Sequence, residues 1–290
     1  GTRVGNYLVR ELLGAGGMGE VFRGEHPSIG RKVAIKVLRR ELSSHDEVQR
    51  RFMAEAQAVN RIQHPNIIQI FDCGALPDGR LYLTMEHLQG EELGEIIEDR
   101  APLSLQETLE LLRQIASALD AAHAAGIVHR DLKPENIFVC PSASGPLVKV
   151  LDFGIAKVRE PGPGGQSQTA TGAIMGTPLY MSPEQAAGAS GKICPQSDIY
   201  AIGVIVYQML SGCYPIRAPS LAQILAMHIT DPPVPISRVV EGLPPGVQEV
   251  IERSLEKTPE RRQRSAGQFY EELLAVCQDS PPSTKATIIV

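Results

Sequence analysis

The chain has 290 residues, of which 43% are hydrophobic and 21% charged, as is ordinary for a globular protein. A formal net charge of −5 gives no electrostatic reason to expect nucleic-acid binding. The five cysteines form no C-x-x-C pair, which favours reduced thiols over a disulfide framework or a zinc site. The longest apolar run, residues 201–210, is too short to cross a membrane, and no signal-peptide pattern is visible. The start at Gly1 predicts a piece of a longer protein.

The first part of the chain alternates short apolar segments with glycine- or proline-bearing turns, which predicts strands at residues 7–9, 20–23 and 33–38. The first turn, residues 14–19, has the pattern G-x-G-x-x-G. In a dinucleotide-binding fold a helix would follow this loop, whereas here a strand and a turn follow it. We therefore expect a loop between two strands whose exposed backbone N–H groups cover phosphates.

A lysine and a glutamate in the next segments form a candidate ion pair. Lys36 lies in the middle of the third strand, and Ser44-x-x-Glu47 is a capping box that opens a helix to about Arg61. Glu55 falls within the apolar stripe of this helix, where an unpaired carboxylate would be costly. The stripe consists of Val48, Phe52, Val59 and Ile62. We expect Glu55 to pair with Lys36. The alternative, a carboxylate that snorkels from the edge of the stripe, stays open.

The rest of the chain changes from strand to helix. Two strands near residues 67–71 and 81–86 complete an antiparallel sheet of about five strands with one helix. A second capping box, Ser104-x-x-Glu107, opens a helix that ends near Gly126. Residues 159–176 are rich in glycine, serine and threonine, which predicts a mobile loop. Further helices are predicted at residues 199–210, 221–229, 246–255 and 266–277.

The stretch from His129 to Asn136 brings an acid, a base and an amide together within eight residues. Pro134 cannot lie inside a helix, so we expect a loop from Leu132 to Asn136, followed by a short strand at residues 137–139. Asp131 could accept a proton there, and Asn136 could hold a metal ion. A polar surface loop is the alternative. A further strand at residues 148–151 runs into Asp152-Phe153-Gly154.

Taken in order, these motifs resemble those of the protein kinases, and most closely the eukaryotic-like serine/threonine kinases of bacteria. The motifs are Gly14-x-Gly16-x-x-Gly19-x-Val21, Val33-Ala34-Ile35-Lys36, Glu55, His129 to Asn136, Asp152-Phe153-Gly154, Ser182-Pro183-Glu184 and Asp198. The resemblance implies an α+β, bilobal fold with a small antiparallel β-sheet lobe that carries one main helix and a larger, mainly helical lobe.

The same resemblance implies the domain boundaries. The kinase domain would cover residues 5–278, with an N-lobe at about 5–86, a hinge at about 86–90 and a C-lobe at about 91–278. Residues 279–290 would begin a linker or juxtamembrane segment.

The implied catalytic residues are Asp131, Lys133, Asn136, Lys36 and Glu55. Asp131 would orient the substrate hydroxyl and accept its proton, and Lys133 would neutralise the γ-phosphate of ATP. Asn136 and Asp152 would hold two Mg²⁺ ions, with Mn²⁺ as an alternative.

The resemblance places the nucleotide between the lobes. Lys36, held by Glu55, would bind the α- and β-phosphates. The other nucleotide contacts would cover the phosphates, enclose the adenine ring or bind its edge at the hinge, and would come from Gly14, Ala15, Gly16, Gly17, Met18, Gly19, Val21, Ala34, Met85, Glu86, Leu88, Phe138 and Asp152.

Other motif residues would support the site. Val59 and Ile70 would stack with His129 and Phe153 into a spine whose assembly marks the active state. Glu184 would pair with an arginine, and Asp198 would anchor the backbone of the catalytic loop. The implied structural residues are His129, Arg130, Phe153, Thr177, Glu184, Asp198 and Arg262.

The implied activity is ATP- and Mg²⁺-dependent phosphoryl transfer to serine or threonine hydroxyls of proteins. Lys133 and Thr177 favour these acceptors over tyrosine. We expect a signalling enzyme that autophosphorylates at Thr169 and Thr171, which are favoured over Ser167, because a phosphate there can pair with Arg130.

A pseudokinase, which would act as a scaffold or allosteric module, is the alternative function. The presence of Lys36, Asp131 and Asp152 weighs against it. The implied partners are protein substrates and the chain itself, and the resemblance allows a homodimer of kinase domains. We expect a cytoplasmic protein, or the cytoplasmic domain of a membrane-anchored bacterial kinase if the full-length chain has a tether.

Overall fold

The computed structural model describes residues 2–17, 19–43, 46–153, 178–278 and 287–288. The side chains of residues 41, 42, 46–48, 51, 55, 287 and 288 lie outside that description. The predicted loop at residues 159–176 lies outside it as well. The described residues form a sheet-rich N-terminal lobe and a helical C-terminal lobe, so the predicted α+β, two-lobed architecture is confirmed.

The N-terminal lobe is built on a sheet that, within the described ranges, has six antiparallel strands in the order β1-β2-β3-β4-β6-β5. The expected number, about five, was too low because the two-residue strand β1 pairs with the start of β2. Strand β2 also runs on to Ala15, whereas the sequence predicted an end at Val9. The strands are β1 (Arg3–Val4), β2 (Tyr7–Ala15), β3 (Gly19–Glu25), β4 (Lys32–Leu38), β5 (Ile70–Ala75) and β6 (Leu81–Glu86).

The main helix of this lobe covers one face of the sheet. After a single turn, α1 (Arg40–Ser43), helix α2 spans Asp46–Asn60. Phe52 and Val59 of the predicted apolar stripe are each 1% exposed and belong to the same core as Ile70 of β5. The stripe is therefore confirmed at these positions. The predicted cap Ser44 and the side chain of Glu55 are outside the described part of the chain.

The C-terminal lobe begins with a short hairpin strand and two helices, β7 (Glu91–Glu92), α3 (Leu93–Arg100) and α4 (Leu105–Ala124). The predicted capping box is confirmed, since the Ser104 hydroxyl accepts from the Glu107 amide and the Glu107 carboxylate accepts from the Ser104 amide. Gly126 follows the helix with φ 76°, a left-handed conformation that glycine adopts without strain. The apolar stripe of α4 is completely buried, and the helix packs against one strand and two other helices of the C-terminal lobe.

Strand β8 (Ile137–Cys140) pairs with β7 on one side and with β9 (Leu147–Val150) on the other, in a small antiparallel sheet. The remaining helices are α5 (Pro183–Ala186), α6 (Pro195–Ser211), α7 (Leu221–Thr230), α8 (Val247–Ser254) and α9 (Ala266–Gln278). Helix α6 is buried on every side from Ser197 to Ser211, as its uniformly apolar sequence predicts. Among the described residues, no helix combines the length and apolar character that a membrane crossing requires.

The lobes contact each other at a second place besides the connection after β6. Asn66, which lies between α2 and β5, donates from its side chain to Gln114 Oε1 on α4 and to the Val148 carbonyl, each at 2.9 Å. Its own carbonyl accepts from the Val150 amide at 2.8 Å. Asn66 is 7% exposed, so these bonds lie where water does not compete for them.

The end of the chain returns to the C-terminal lobe. Thr287 and Ile288 form a strand, β11, that pairs antiparallel with β10 (Val240–Glu241). Since these are the described residues of the stretch 279–290, its assignment as the start of a linker stays a prediction.

Candidate active site

The stretch between α4 and β8 forms a compact loop. It closes with a 3-10 turn, Pro134–Asn136, in which the Asn136 amide donates to the Lys133 carbonyl at 2.9 Å. The expectation of irregular loop up to Asn136 was therefore wrong in detail. Pro134 takes the first position of the turn, where its missing N–H leaves no hydrogen bond unmade.

Asp131 and Asn136 come together inside this loop. The Asn136 amide nitrogen donates to the Asp131 carbonyl at 2.8 Å and lies 3.5 Å from Asp131 Oδ2. Because its NH₂ group is committed to Asp131, the amide oxygen of Asn136 is available as an acceptor or a cation ligand. Asn136 is 7% exposed, so this orientation is held by the surrounding structure.

The loop backbone is fixed by a buried carboxylate on α6. Asp198, which is 1% exposed, accepts from the amides of His129 and Arg130 at 2.8 and 2.9 Å and from His123 Nε2 at 2.8 Å. Arg130 has φ 65°, which is uncommon for a residue with a side chain. The hydrogen bonds that the His129 and Arg130 amides donate to Asp198 stabilise this left-handed conformation. Asp131 is the next residue, so its position is fixed as well.

The second carboxylate of the site, Asp152, follows β9 and also has a left-handed backbone, with φ 53°. Its Oδ2 is 2.6 Å from Lys36 Nζ. Burial by itself would raise the pKa of Asp152, but the Lys36 ammonium outweighs it and, with His129 and Lys133, holds that pKa below its usual value. Asp152 is therefore ionised at neutral pH.

Asp152 also lies next to the catalytic loop. The Leu151 amide donates to the Asn136 carbonyl at 2.8 Å, and His129 Nε2 contacts the Leu151 carbonyl at 2.7 Å. Phe153 is 1% exposed and its ring centroid lies 4.7 Å from that of His129. The carboxylate of Asp152 and the side-chain amide of Asn136 thus lie on two segments that are hydrogen-bonded to each other.

The glycine-rich turn connects β2 and β3, and Lys36 on the next strand, β4, pairs with Val21 of β3 and Leu83 of β6. A Cβ atom added at Gly14, Gly16 or Gly17 would meet no protein atom within 4 Å. At Gly19 it would lie 2.1 Å from the Val37 carbonyl, so a side chain cannot fit there. The first three glycines leave open space over the turn, which suits the close approach of a phosphate to backbone N–H groups.

The predicted adenine site lies at the connection between the lobes. Ala34 pairs with Met85 across β4 and β6, Phe138 lies on β8, and the chain leaves regular structure after Glu86. The Glu86 side chain accepts from Lys149 Nζ at 2.7 Å and from the Gln69 amide at 2.8 Å. The backbone around residues 87–89 is therefore positioned from both lobes.

The segment after residue 177 lies against the catalytic loop. Tyr180 and Met181 line one depression together with Asp131 and Lys133. Gln185 on α5 donates to the Arg130 carbonyl at 2.6 Å, a contact that the sequence did not indicate.

Glu184 of α5 forms two hydrogen bonds of 2.9 Å with the Arg262 guanidinium, and both side chains are almost fully buried. Glu184 also accepts from the Ser197 hydroxyl on α6. These contacts attach the segment beside the catalytic loop to the core of the lobe.

Several predicted site residues cannot be placed. Met18, Thr169, Thr171 and Thr177 lie outside the described residues, and so does the side chain of Glu55. The Lys36–Glu55 pair therefore stays a prediction, and the described ion pair of Lys36 is the one with Asp152.

The donor set fits a nucleotide-bound Mg²⁺ ion. A carboxylate on Asp152 and an amide oxygen on Asn136 are hard oxygen ligands. Among the described residues, no group of three or more histidine, cysteine, aspartate or glutamate side chains could hold a metal by itself. Mg²⁺ is commonly held by one or two carboxylates together with phosphates, so such a group is not required.

Comparison with known proteins agrees with this geometry. The family model described as the protein kinase domain matches residues 7–286. Two kinases of Myxococcus xanthus, serine/threonine-protein kinases pkn3 and Pkn1, are 43% and 46% identical over 93% of this chain, which covers 50% and 38% of them. PknA of Mycobacterium tuberculosis is 41% identical over 95% of this chain, which covers 62% of it. The chain thus spans roughly half the length of the curated relatives it matches.

Solved structures give the same result. The M. tuberculosis PknI kinase domain matches 94% of this chain and 96% of its own, with a TM-score of 0.72 and 27% identity. A mutant form of the same domain matches 96% and 98%, with a TM-score of 0.71 and 27% identity. The matched family model, these relatives and the observed fold show that the chain belongs to the protein kinase family and is similar to bacterial serine/threonine kinases.

Proposed function

We propose that this domain transfers the γ-phosphoryl group of ATP to serine and threonine hydroxyls of proteins. The observation that carries the proposal is the position of Asn136 between the two acidic residues. Its side-chain amide donates to the Asp131 carbonyl, and its own carbonyl accepts from the amide of Leu151, the residue before Asp152. Protein kinases as a family use ATP and a divalent metal. The relatives named as serine/threonine kinases support the choice of acceptor.

Each residue of the proposed site has a separate task. Asp131 orients the acceptor hydroxyl and takes its proton, while Lys133 balances charge on the transferred phosphoryl group. Asn136 and Asp152 would hold Mg²⁺, with Mn²⁺ as an alternative, and this ion would offset the charge of the phosphates. Lys36 binds the α- and β-phosphates and keeps Asp152 ionised.

The purified chain, incubated with labelled ATP, Mg²⁺ and a generic protein substrate, is expected to transfer label to serine and threonine. Phosphoamino-acid analysis of the product measures the acceptor. Predominant phosphotyrosine would contradict the proposed specificity. Nucleotide binding without any transfer would favour the scaffold or allosteric module.

The substitution Lys36→Met is expected to weaken ATP binding about 10- to 100-fold, the range for loss of a charge-assisted hydrogen bond, and to abolish detectable transfer. Removal of the ammonium also takes the counter-charge from Asp152. Lys32→Met is a matched control, because Lys32 lies on the same strand with its side chain exposed. Isothermal titration with ATP measures both variants, and equal affinities for them would contradict this role of Lys36.

We further propose that phosphorylation of Thr169 and Thr171 activates the enzyme. Arg130 precedes Asp131 and its side chain is exposed, so a phosphorylated threonine could form a bidentate pair with it. Wild-type protein incubated with ATP is expected to gain phosphate in this loop, and the Thr169→Ala/Thr171→Ala variant is expected to lose most activity. Intact mass, peptide mapping and rate measurement test this. Full activity in the double variant, with no phosphate on the wild-type loop, would exclude the switch.

Protein substrates and the chain itself are the partners expected of a kinase domain. A homodimer of kinase domains, a cytoplasmic location and a membrane tether in a longer chain stay predictions. Sedimentation of the purified chain tests the first of these.

A further inference from the structure

Helix α7 packs against one end of the segment beside Asp131. Tyr180 and Met181 of this segment line the same depression as Asp131, so the segment borders the place where an acceptor hydroxyl would meet Asp131. This segment starts with a 3-10 turn, Pro178–Tyr180, which packs on α6 and α7. Its Tyr180 end is anchored, because the Tyr180 hydroxyl donates to Gln208 Oε1 on α6 at 2.6 Å.

The other end of the turn faces a buried histidine. His228 of α7 is fully buried, and its Nδ1 lies 2.8 Å from the Tyr200 hydroxyl on α6. The turn packs against α7, and the ring interacts with the backbone carbonyls of Pro178 and Leu179, which raise the pKa of His228. Within the described part of the chain, however, Nε2 has no hydrogen-bond partner of normal geometry.

The chemistry of the ring determines which nitrogen carries the proton. Burial, and then the nearby Lys257 ammonium, lower the pKa of His228 to about 4, while the two carbonyls oppose this shift. The neutral ring has one N–H group, and the carbonyls, which can only accept, favour that group at Nε2. The Tyr200 hydroxyl then donates to Nδ1. The Nε2–H group of His228 is thus buried beside two possible acceptors but makes no hydrogen bond of normal geometry. A buried donor without a partner is unfavourable, so formation of the bond would be favourable.

We propose that His228 is a positioning residue for the protein substrate: its Nε2–H group completes a hydrogen bond to the Pro178 or Leu179 carbonyl when a peptide presses the turn onto α7. This inference rests on the proposed kinase function and extends it to a residue outside the recognised motifs. Since Tyr180 is fixed by Gln208, the His228 contact sets the position of the turn's remaining end.

Two substitutions separate the ring nitrogens of His228. In His228→Asn the side-chain amide reaches the place of Nδ1 and still accepts from Tyr200, but nothing reaches the turn. In His228→Gln the amide nitrogen reaches the place of Nε2 and can donate to the turn. With a threonine-containing peptide that the wild type phosphorylates, we expect His228→Asn to raise the peptide KM about three- to tenfold, as loss of one hydrogen bond implies. The kcat and the KM for ATP should stay within about twofold, and His228→Gln should restore most of the peptide KM.

Hydrogen exchange of the Met181 amide, which donates to the Pro178 carbonyl at 3.2 Å, gives a readout that needs no phosphoryl transfer when it is measured with a bound peptide in which alanine replaces the acceptor threonine. It should be faster in His228→Asn than in wild type and close to wild type in His228→Gln. An unchanged peptide KM in His228→Asn, or equal losses in both variants, would overturn the inference. If His228→Asn does not fold, His228→Met decides, because methionine fills a similar volume without a hydrogen-bond donor and should raise the peptide KM alone. An unchanged KM there would also overturn it. A wild type that transfers no phosphate would instead contradict the proposed function.

Discussion

The substitution Asp131→Asn is expected to lower kcat by about 10²- to 10⁴-fold, the range for removal of a general base. ATP affinity should stay within about twofold, because in the proposed mechanism Asp131 contacts the acceptor hydroxyl and other residues bind the nucleotide phosphates. The new amide has nearly the same size and leaves the Asn136 bond to the Asp131 backbone carbonyl in place. Single-turnover kinetics and ATP titration measure the two quantities.

The matched control is Glu98→Gln, which makes the same chemical change at an exposed position on α3. It should leave kcat and ATP affinity unchanged. Near-normal turnover in Asp131→Asn would show that another group takes the proton. Loss of ATP binding in the same variant would point to a collapsed site.

The substitution Arg262→Met is expected to lower the free energy of unfolding by about 3–5 kcal/mol, because it leaves the buried Glu184 carboxylate without its partner. Arg262 is 2% exposed and also donates to the carbonyls of Gln196 and Glu256, which lose their donors. Urea unfolding followed by circular dichroism measures the change, since the chain contains no tryptophan.

An Arg264→Met variant, two residues along the chain and exposed, should stay within about 0.5 kcal/mol of wild type. A Glu184→Leu/Arg262→Met variant should recover part of the loss, because no unpaired buried charge remains. If Arg262→Met is as stable as its control, the ion pair does not support the fold.

The pH dependence of this loss has a definite sign. Burial raises the pKa of Glu184, but hydrogen bonds from Arg262 and Ser197 outweigh burial and keep it below its usual value. In wild type the pair therefore contributes its full stability above the unfolded pKa of about 4.3 and loses it as the pH falls through the lower folded pKa. Without Arg262 the pKa of Glu184 should rise. The deficit of Arg262→Met should then be largest at neutral pH and shrink as the pH falls.

The sequence identified those parts of the site whose residues are close together along the chain. Asp131, Asn136 and Asp152 belong to short motifs, and the capping box at Ser104 was found because its two partners are three residues apart. Of the contacts that hold these groups, the family resemblance implied that Asp198 anchors the loop backbone and that Glu184 pairs with Arg262, and other contacts were not predicted. His123 contacts Asp198 75 residues away, and Lys149 contacts Glu86 63 residues away. Such pairs depend on how helices and strands pack, and no local pattern marks them.

Errors in the fold had local physical causes. Strand β2 was predicted to end at Val9 because the charged residues Arg10 and Glu11 follow the apolar segment, yet the strand continues to Ala15 and pairs with β3 along this length. The turn at Pro134 was read as irregular because proline excludes a helix interior, although it suits a first turn. In β2, pairing with a neighbouring strand outweighed the intrinsic preferences of the residues, whereas at Pro134 the preference of proline for a first turn was overlooked.

The Asn66 contacts limit how the two lobes can move. The lobes are joined by the chain after Glu86, where Lys149 also binds Glu86, and separately by the buried bonds of Asn66 to Gln114, Val148 and Val150. Lys36 and Asp152 add an ion pair between the lobes. Because this ion pair joins two side chains, the two connections that involve the backbone limit the motion mainly to rotation about the line through them. Displacement grows with distance from that line, so the open turn between β2 and β3 should travel farther than the strands near Met85. Nucleotide entry and release would then follow a single arc instead of a general loosening of the cleft.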